Sequence, residues 1–160
     1  YTEGKMNPAG NFMDMQWFSW PELYPFIRSA NNAIQKLTLN EAGMEATLVN
    51  RLLGEAYFMR GYFYTQLMRQ FGGVVLTLEP LTLGSEANNP RATFAETVNQ
   101  ILSDLDRAID LLEEAPRDPA RADKITALAM KSRVLTHVAS DLYEPSKNSV
   151  QGLIGCHNRI

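Results

Sequence analysis

The chain has 160 residues, enough for one ordinary domain, and its 45% hydrophobic and 21% charged residues exclude disorder over the whole length. A net charge of −3 with no block of Lys or Arg excludes a nucleic-acid-binding footprint and gives no pull toward an anionic membrane surface. One cysteine, Cys156, cannot close an internal disulfide, and with only two histidines beside it neither a metal nor a cofactor is expected.

The chain opens on Tyr1 with no charged-then-apolar leader after it, and its apolar runs fall far short of the ~20 residues that span a bilayer. The opening reads as a cut, so any targeting segment is expected upstream. Residues 1–19, with Gly4, Pro8 and Gly10 and no helical spacing, read as loop. From Glu22, Leu23, Phe26, Ile27, Ala30, Ala33, Ile34 and Leu37 recur at three- and four-residue steps and predict a first helix. Pro21 suits its first turn, whereas Pro25 is acceptable only if the helix begins that late.

Asn40 and Gly43 end that pattern, and a second helix is predicted from about Glu45 to Phe71 with the stripe Leu48, Leu52, Ala56, Met59, Phe63, Leu67 and Phe71. Gly72 and Gly73 stop it. Val74 to Leu78 is apolar and β-branched but has no visible partner strand, so an extended strip packed on the helices is expected. Residues 79–92 read as loop. A third helix opens with Thr93 as N-cap and Glu96 three residues on, a capping box, and carries the face Phe94, Val98, Ile101, Leu102, Leu105, Ala108, Ile109 and Leu112. After Pro116 and Pro119, a fourth helix is predicted from about Asp123 to Tyr143 on Ile125, Leu128, Ala129, Ser132, Leu135, Val138 and Leu142. Residues 144–160 lose the period and read as an irregular tail leading to a further region.

The helices echo one another. Ile27, Ala33, Ile34 and Leu37 match Leu102, Ala108, Ile109 and Leu112 at one constant offset, and Ala56 and Arg60 match Ala129 and Arg133. Both offsets lie slightly above twice the roughly 34-residue tetratricopeptide period. The expected fold is therefore all-α: two stacked tetratricopeptide-like hairpins over residues 20–143, with Ala56 and Ala129 allowing close helix crossing.

Arg60 stands among apolar neighbours and needs a carboxylate or carbonyl partner. Glu55 is near in sequence but five residues away, a poor helical step, and Asp104 is the better long-range candidate. An ion pair or carbonyl clamp between helices is the simpler account; a ligand role for Arg60 toward an anion is the other.

Several blocks occur in a family's order. They are Trp20-x3-Tyr24-x2-Ile27-x3-Asn31, then Gly54-Glu55-Ala56-Tyr57-Phe58-Met59-Arg60, then Phe71-Gly72-Gly73-Val74-x-Leu76. Arg91-x-Thr93-x2-Glu96, Ile101-x2-Asp104-Leu105-x2-Ala108 and the helix through Ala129 and Arg133 follow. This set resembles the SusD/RagB family of surface nutrient-binding lipoproteins. The family usually has proline where Val75 stands and alanine where Gly61 stands, so a looser turn after the second helix is expected here. The resemblance implies an outer-membrane, cell-surface protein held by an N-terminal lipid anchor absent from this chain. It also implies capture of an oligosaccharide or other nutrient, and docking on a SusC-type TonB-dependent transporter. In that reading this chain is the N-terminal helical scaffold, with Trp20, Tyr24, Asn31, Glu55, Arg60, Asp104 and Arg133 as structural residues.

Flat indole faces stack on the C–H faces of sugar rings, which makes Trp17 the candidate ligand platform, with Asn11, Asp14 and Gln16 as partners for hydroxyls. The plain alternative for a tryptophan beside a helix start is core packing. Catalysis is not expected. Asp104 and Asp106 point to different sides of a helix, Glu113 and Glu114 suit a solvated end, and a His137–Asp141 pair has no nucleophile placed beside it. The rival reading is a tetratricopeptide-type adaptor gripping a peptide, without any glycan.

Overall fold

The computed structural model describes residues 20–80, 90–114, 120–140 and 143. The candidate ligand residues Asn11, Asp14, Gln16 and Trp17 lie outside these, as does Asp141. The first helix, α1, spans Trp20–Leu39 and buries Leu23, Ile27, Ala30 and Asn31. It begins before Glu22, so Pro25 stands inside it, on the solvent-facing side. There the ring forfeits only the bond to the Pro21 carbonyl, close to an end whose first donors are unpaired anyway. Asn40, at φ 44°, ends the helix in the left-handed conformation that asparagine tolerates, and its amide brackets Met44 with two hydrogen bonds.

The second helix, α2, spans Ala46–Phe71 and is capped by Glu45, whose carboxylate accepts from the Thr47 and Leu48 amides. Its buried face differs from the predicted stripe: Val49, Gly54, Tyr57, Arg60, Gly61, Tyr64, Thr65, Leu67 and Met68 point inward. Met59 is 41% exposed, and Leu48 also faces solvent. The helix lies between α1 and α3, so it needs two contact sides, and hydroxyls, a guanidinium and glycines share them with apolar groups. Close crossing comes from the glycines and not from Ala56: a Cβ on Gly54 would lie 2.8 Å from Leu112 Cγ, and one on Gly61 3.3 Å from Leu105 Cγ.

The third helix, α3 (Phe94–Leu111), opens with the predicted capping box and buries Thr97, Val98, Ile101, Asp104, Leu105 and Ala108. The fourth, α4, spans Lys124–Val138, about a turn shorter than predicted, and buries Ala127, Met130 and Val134. Here too the expected face is wrong: Ile125, Leu128 and Leu135 are 62%, 48% and 46% exposed, and Ala129 faces solvent. Among the described residues α3, with a corner of α2, provides the main cover for α4, so the helix turns one narrow strip inward.

Cross-helix pairs set the directions. Trp20–Phe71 and Phe26–Phe63 make α1 and α2 antiparallel. Tyr57–Arg107 and Thr97–Val74 do the same for α2 and α3, and Asp106–Lys131 and Phe94–Tyr143 for α3 and α4. Two helical hairpins thus stack side by side through α2 and α3. The core between them holds Leu23, Ile27, Tyr64, Leu67, Met68, Ile101, Leu105 and Val134, continued by a smaller cluster of Tyr57, Ala108, Leu112 and Ala127. Among the described residues no helix is long and apolar enough to cross a membrane.

Candidate functional site

The most elaborate side-chain arrangement lies where the strip after α2 returns along the α1–α2 groove. Residues 74–78 are extended without a partner strand among the described residues, so their backbone groups need partners elsewhere. The Ala92 amide donates to the Val74 carbonyl at 2.9 Å, and side chains supply several of the others. Tyr24 Oη donates to the Val75 carbonyl at 2.8 Å and Asn31 Nδ2 to the Thr77 carbonyl at 2.8 Å. Tyr64 Oη donates to that same Thr77 carbonyl at 2.9 Å and accepts from the Thr77 amide at 2.8 Å.

Arg60 closes the set. Its Nε and Nη2 donate in parallel to Asp104 of α3 at 2.8 and 2.6 Å, and Nη1 donates to Asn31 Oδ1 at 2.9 Å and to the Leu78 carbonyl at 3.2 Å. Gln100 Nε2 adds a donor to Asp104 Oδ1 at 3.0 Å. Arg60 is 5% and Asp104 0% exposed, so two opposite charges neutralise one another with little water, and α1, α2, α3 and the strip meet at one guanidinium. That arrangement leaves Arg60 no free face for an anion; it is the clamp of the simpler account. Burial pushes the Tyr64 phenol up to about 12, and the same cause raises Tyr24 beyond the ordinary tyrosine range.

The turn at Gly72 and Gly73 is held, not loosened. Arg91 donates to the Phe71 and Gly73 carbonyls while its guanidinium lies 5.8 Å from the Trp20 ring centre. Trp20 itself packs on Tyr24 and edge-on against Phe71 at 5.2 Å. A Cβ at Gly73 would sit 2.1 Å from the Ala92 carbonyl oxygen, which explains why glycine stands there. Sequence reasoning missed this use of Arg91, because its partners lie 18 and 20 residues back.

The remaining candidates disperse. Glu55 does not meet Arg60 but accepts from Arg121, with the Nε contact at 2.7 Å. Arg133 does not repeat the environment of Arg60: it is exposed on α4 and lines a pocket with Thr65, Arg69, Val134 and His137. His137 Nε2 lies 3.0 Å from Tyr143 Oη, and burial followed by the Arg69 charge holds its imidazole below the usual histidine value. Among the described residues no group of three His, Cys, Asp or Glu side chains converges as a metal site would require.

A family model, SusD-like_3, described as starch-binding and associating with outer membrane, matches residues 6–135. SusD-like protein P38 of Formosa agariphila is 33% identical over 140 residues, covering 87% of this chain and 26% of that protein. The crystal structure of a SusD-like protein from Bacteroides fragilis superposes with a TM-score of 0.70 at 31% identity, over 78% of this chain and 24% of the other. A laminarin-binding SusD-like protein gives a TM-score of 0.70 at 25% identity, covering 78% and 27% of the two chains. The chain therefore spans about a quarter of the length of these relatives. With the helical hairpins, the clamped strip and a match over most of its length, the chain belongs to the SusD-like family.

Proposed function

We propose that this chain is the helical scaffold of a cell-surface protein that captures a glycan or related nutrient and docks on a SusC-type TonB-dependent transporter. The observation that carries the reading is the family match over residues 6–135, together with similarity to proteins described as laminarin-binding and as a surface glycan-binding protein from Bacteroides fluxus. The architecture suits the role. A guanidinium clamp joining three helices and a strip makes a stiff frame, and stiffness limits the ordering cost when a ligand or partner is bound. Within this reading the protein binds and hands over; it carries out no chemistry on the glycan. It sits on the outer membrane through a lipid anchor, and the candidate sugar platform is Trp17 with Asn11, Asp14 and Gln16.

Affinity electrophoresis in gels cast with laminarin, starch or xyloglucan tests the reading directly on the protein carrying this chain. Retardation by at least one glycan, reduced by Trp17→Ala, is the expected result. Retention by peptides with no retardation in any glycan gel would transfer the chain to the adaptor reading. Co-purification with the transporter tests the docking half separately.

A further inference from the structure

Between the C-terminal halves of α2 and α4, which run parallel, lies a pocket of about 330 Å³ lined by Thr65, Arg69, Arg133, Val134 and His137. Every ionisable group on its wall is basic. Other cations of the described residues that face a neighbouring helix have partners there: Arg60 has Asp104, Arg121 has Glu55, Lys131 has Asp106, and Arg107 has the Tyr57 phenol and ring. Arg69 and Arg133 have no such counterpart among the described residues, although two guanidiniums opening on one pocket repel each other until a negative charge arrives. The Thr65 hydroxyl is already committed to the Gly61 carbonyl at 2.7 Å, so the donors left for a ligand are the two guanidiniums and the imidazole. Tyr143 holds that imidazole through the 3.0 Å contact at Nε2.

We propose that this pocket is an oxyanion site, taking a sulfate or carboxylate group between Arg69 and Arg133 with His137 as a third donor. Planar guanidinium forks match the paired oxygens of such groups, and the buried Val134 methyls wall one side against water. The group arrives either as a free ion or as a substituent on a saccharide. The site stands apart from the glycan-capture reading, because inorganic sulfate alone tests it.

The test uses the full chain and follows the His137 ring protons by NMR as pH is varied, in sodium sulfate against sodium chloride of equal ionic strength. Among the described residues, the charged groups that share the pocket with this ring are Arg69 and Arg133, and the Tyr143 phenol lies against its Nε2. A bound anion favours the imidazolium, so the midpoint rises in sulfate beyond any rise in chloride. Arg69→Gln with Arg133→Gln weakens sulfate binding about tenfold or more and removes the difference. Both residues are exposed, so the fold should survive; each single variant, expected to lose part of the effect, serves if the double variant melts early. Equal midpoints in the two salts, or a sulfate effect that survives the substitutions, overturns the site. Displacement of sulfate by a sulfated or uronate oligosaccharide, but not by its neutral counterpart, assigns the group to a saccharide. Binding of the inorganic ion only assigns it to a free anion. Failure of every neutral glycan to bind would count against the glycan reading and leave this site standing.

Discussion

Replacing Asp104 by leucine should be among the most damaging single changes in the described structure, and the geometry says by how much. The carboxylate is fully buried and neutralises a guanidinium that is itself 5% exposed, through contacts of 2.8 and 2.6 Å. Asp104→Leu leaves that charge in the core with Asn31, the Leu78 carbonyl and the Tyr57 ring face but no counter-charge, and stranding one member of a buried pair costs about 3–5 kcal/mol. Against a total stability of about 5–15 kcal/mol this is a large share, and for a domain of this size it lowers the melting temperature by about 6–20 °C. Arg60→Met with Asp104→Leu removes both charges. The Leu78 carbonyl, on an exposed residue, can turn to water, while Asn31 Oδ1 remains buried without its donor at a cost of about 1–3 kcal/mol. The double variant should therefore be more stable than Asp104→Leu alone. Urea unfolding followed by circular dichroism measures Asp104→Leu, Arg60→Met and the double variant, and the cycle isolates the coupling. Asp104→Leu costing under about 1 kcal/mol, or a double variant as unstable as the two singles summed, would refute the clamp as an energetic unit.

Two further outcomes follow from the same region. Gly73→Ala places a Cβ 2.1 Å from the Ala92 carbonyl oxygen, a backbone atom that cannot rotate away, so it should cost about 3 kcal/mol or more; Gly43→Ala meets nothing within 4 Å and pays only for its φ of +62°, about 1 kcal/mol. Thermal melts that rank the two variants the other way would show that the turn yields. Tyr64 keeps its proton up to about 12 in the fold while an unfolded tyrosine releases it near 10, so stability is fully present below pH 10 and falls as pH climbs toward 12. The slope is about 1.4 kcal/mol per pH unit for this group alone, and Tyr24 shifts in the same direction. Unfolding free energies measured at pH 9, 10, 11 and 12 would show the fall, and a flat line would mean that Tyr64 reaches solvent.

What could be read from the residues divides by range. The capping box at Thr93 and Glu96 is a contact between near neighbours and was legible, as was the inward face of α3, where nearly every buried position but Thr97 and Asp104 is apolar. The faces of α2 and α4 were misread for opposite reasons. In α2 the buried side carries Arg60, Thr65 and two glycines, so an apolar stripe points the wrong way; Thr65 is satisfied locally by the Gly61 carbonyl, but the groups that make Arg60 tolerable, Asn31 and Asp104, stand 29 and 44 residues off. In α4 the apolar residues exceed what one covering helix can bury, and Ile125, Leu128 and Leu135 remain outside.

The pairing of Arg60 with Arg133 by repeat position shows the limit most clearly. Both sit at the same phase of a second helix in a hairpin, yet one is clamped in the core and the other opens on a pocket. Repeat position fixes where a side chain leaves its helix, whereas its environment depends on what the next layer supplies. α2 has α3 across from it, with Asp104 aimed at Arg60 and Gly61 thinning the crossing enough for the two to meet at 2.6 Å. Among the described residues no later helix lies over α4, and none of their carboxylates is paired with Arg133. Its desolvation never begins, and water or a captured anion is left to answer its charge.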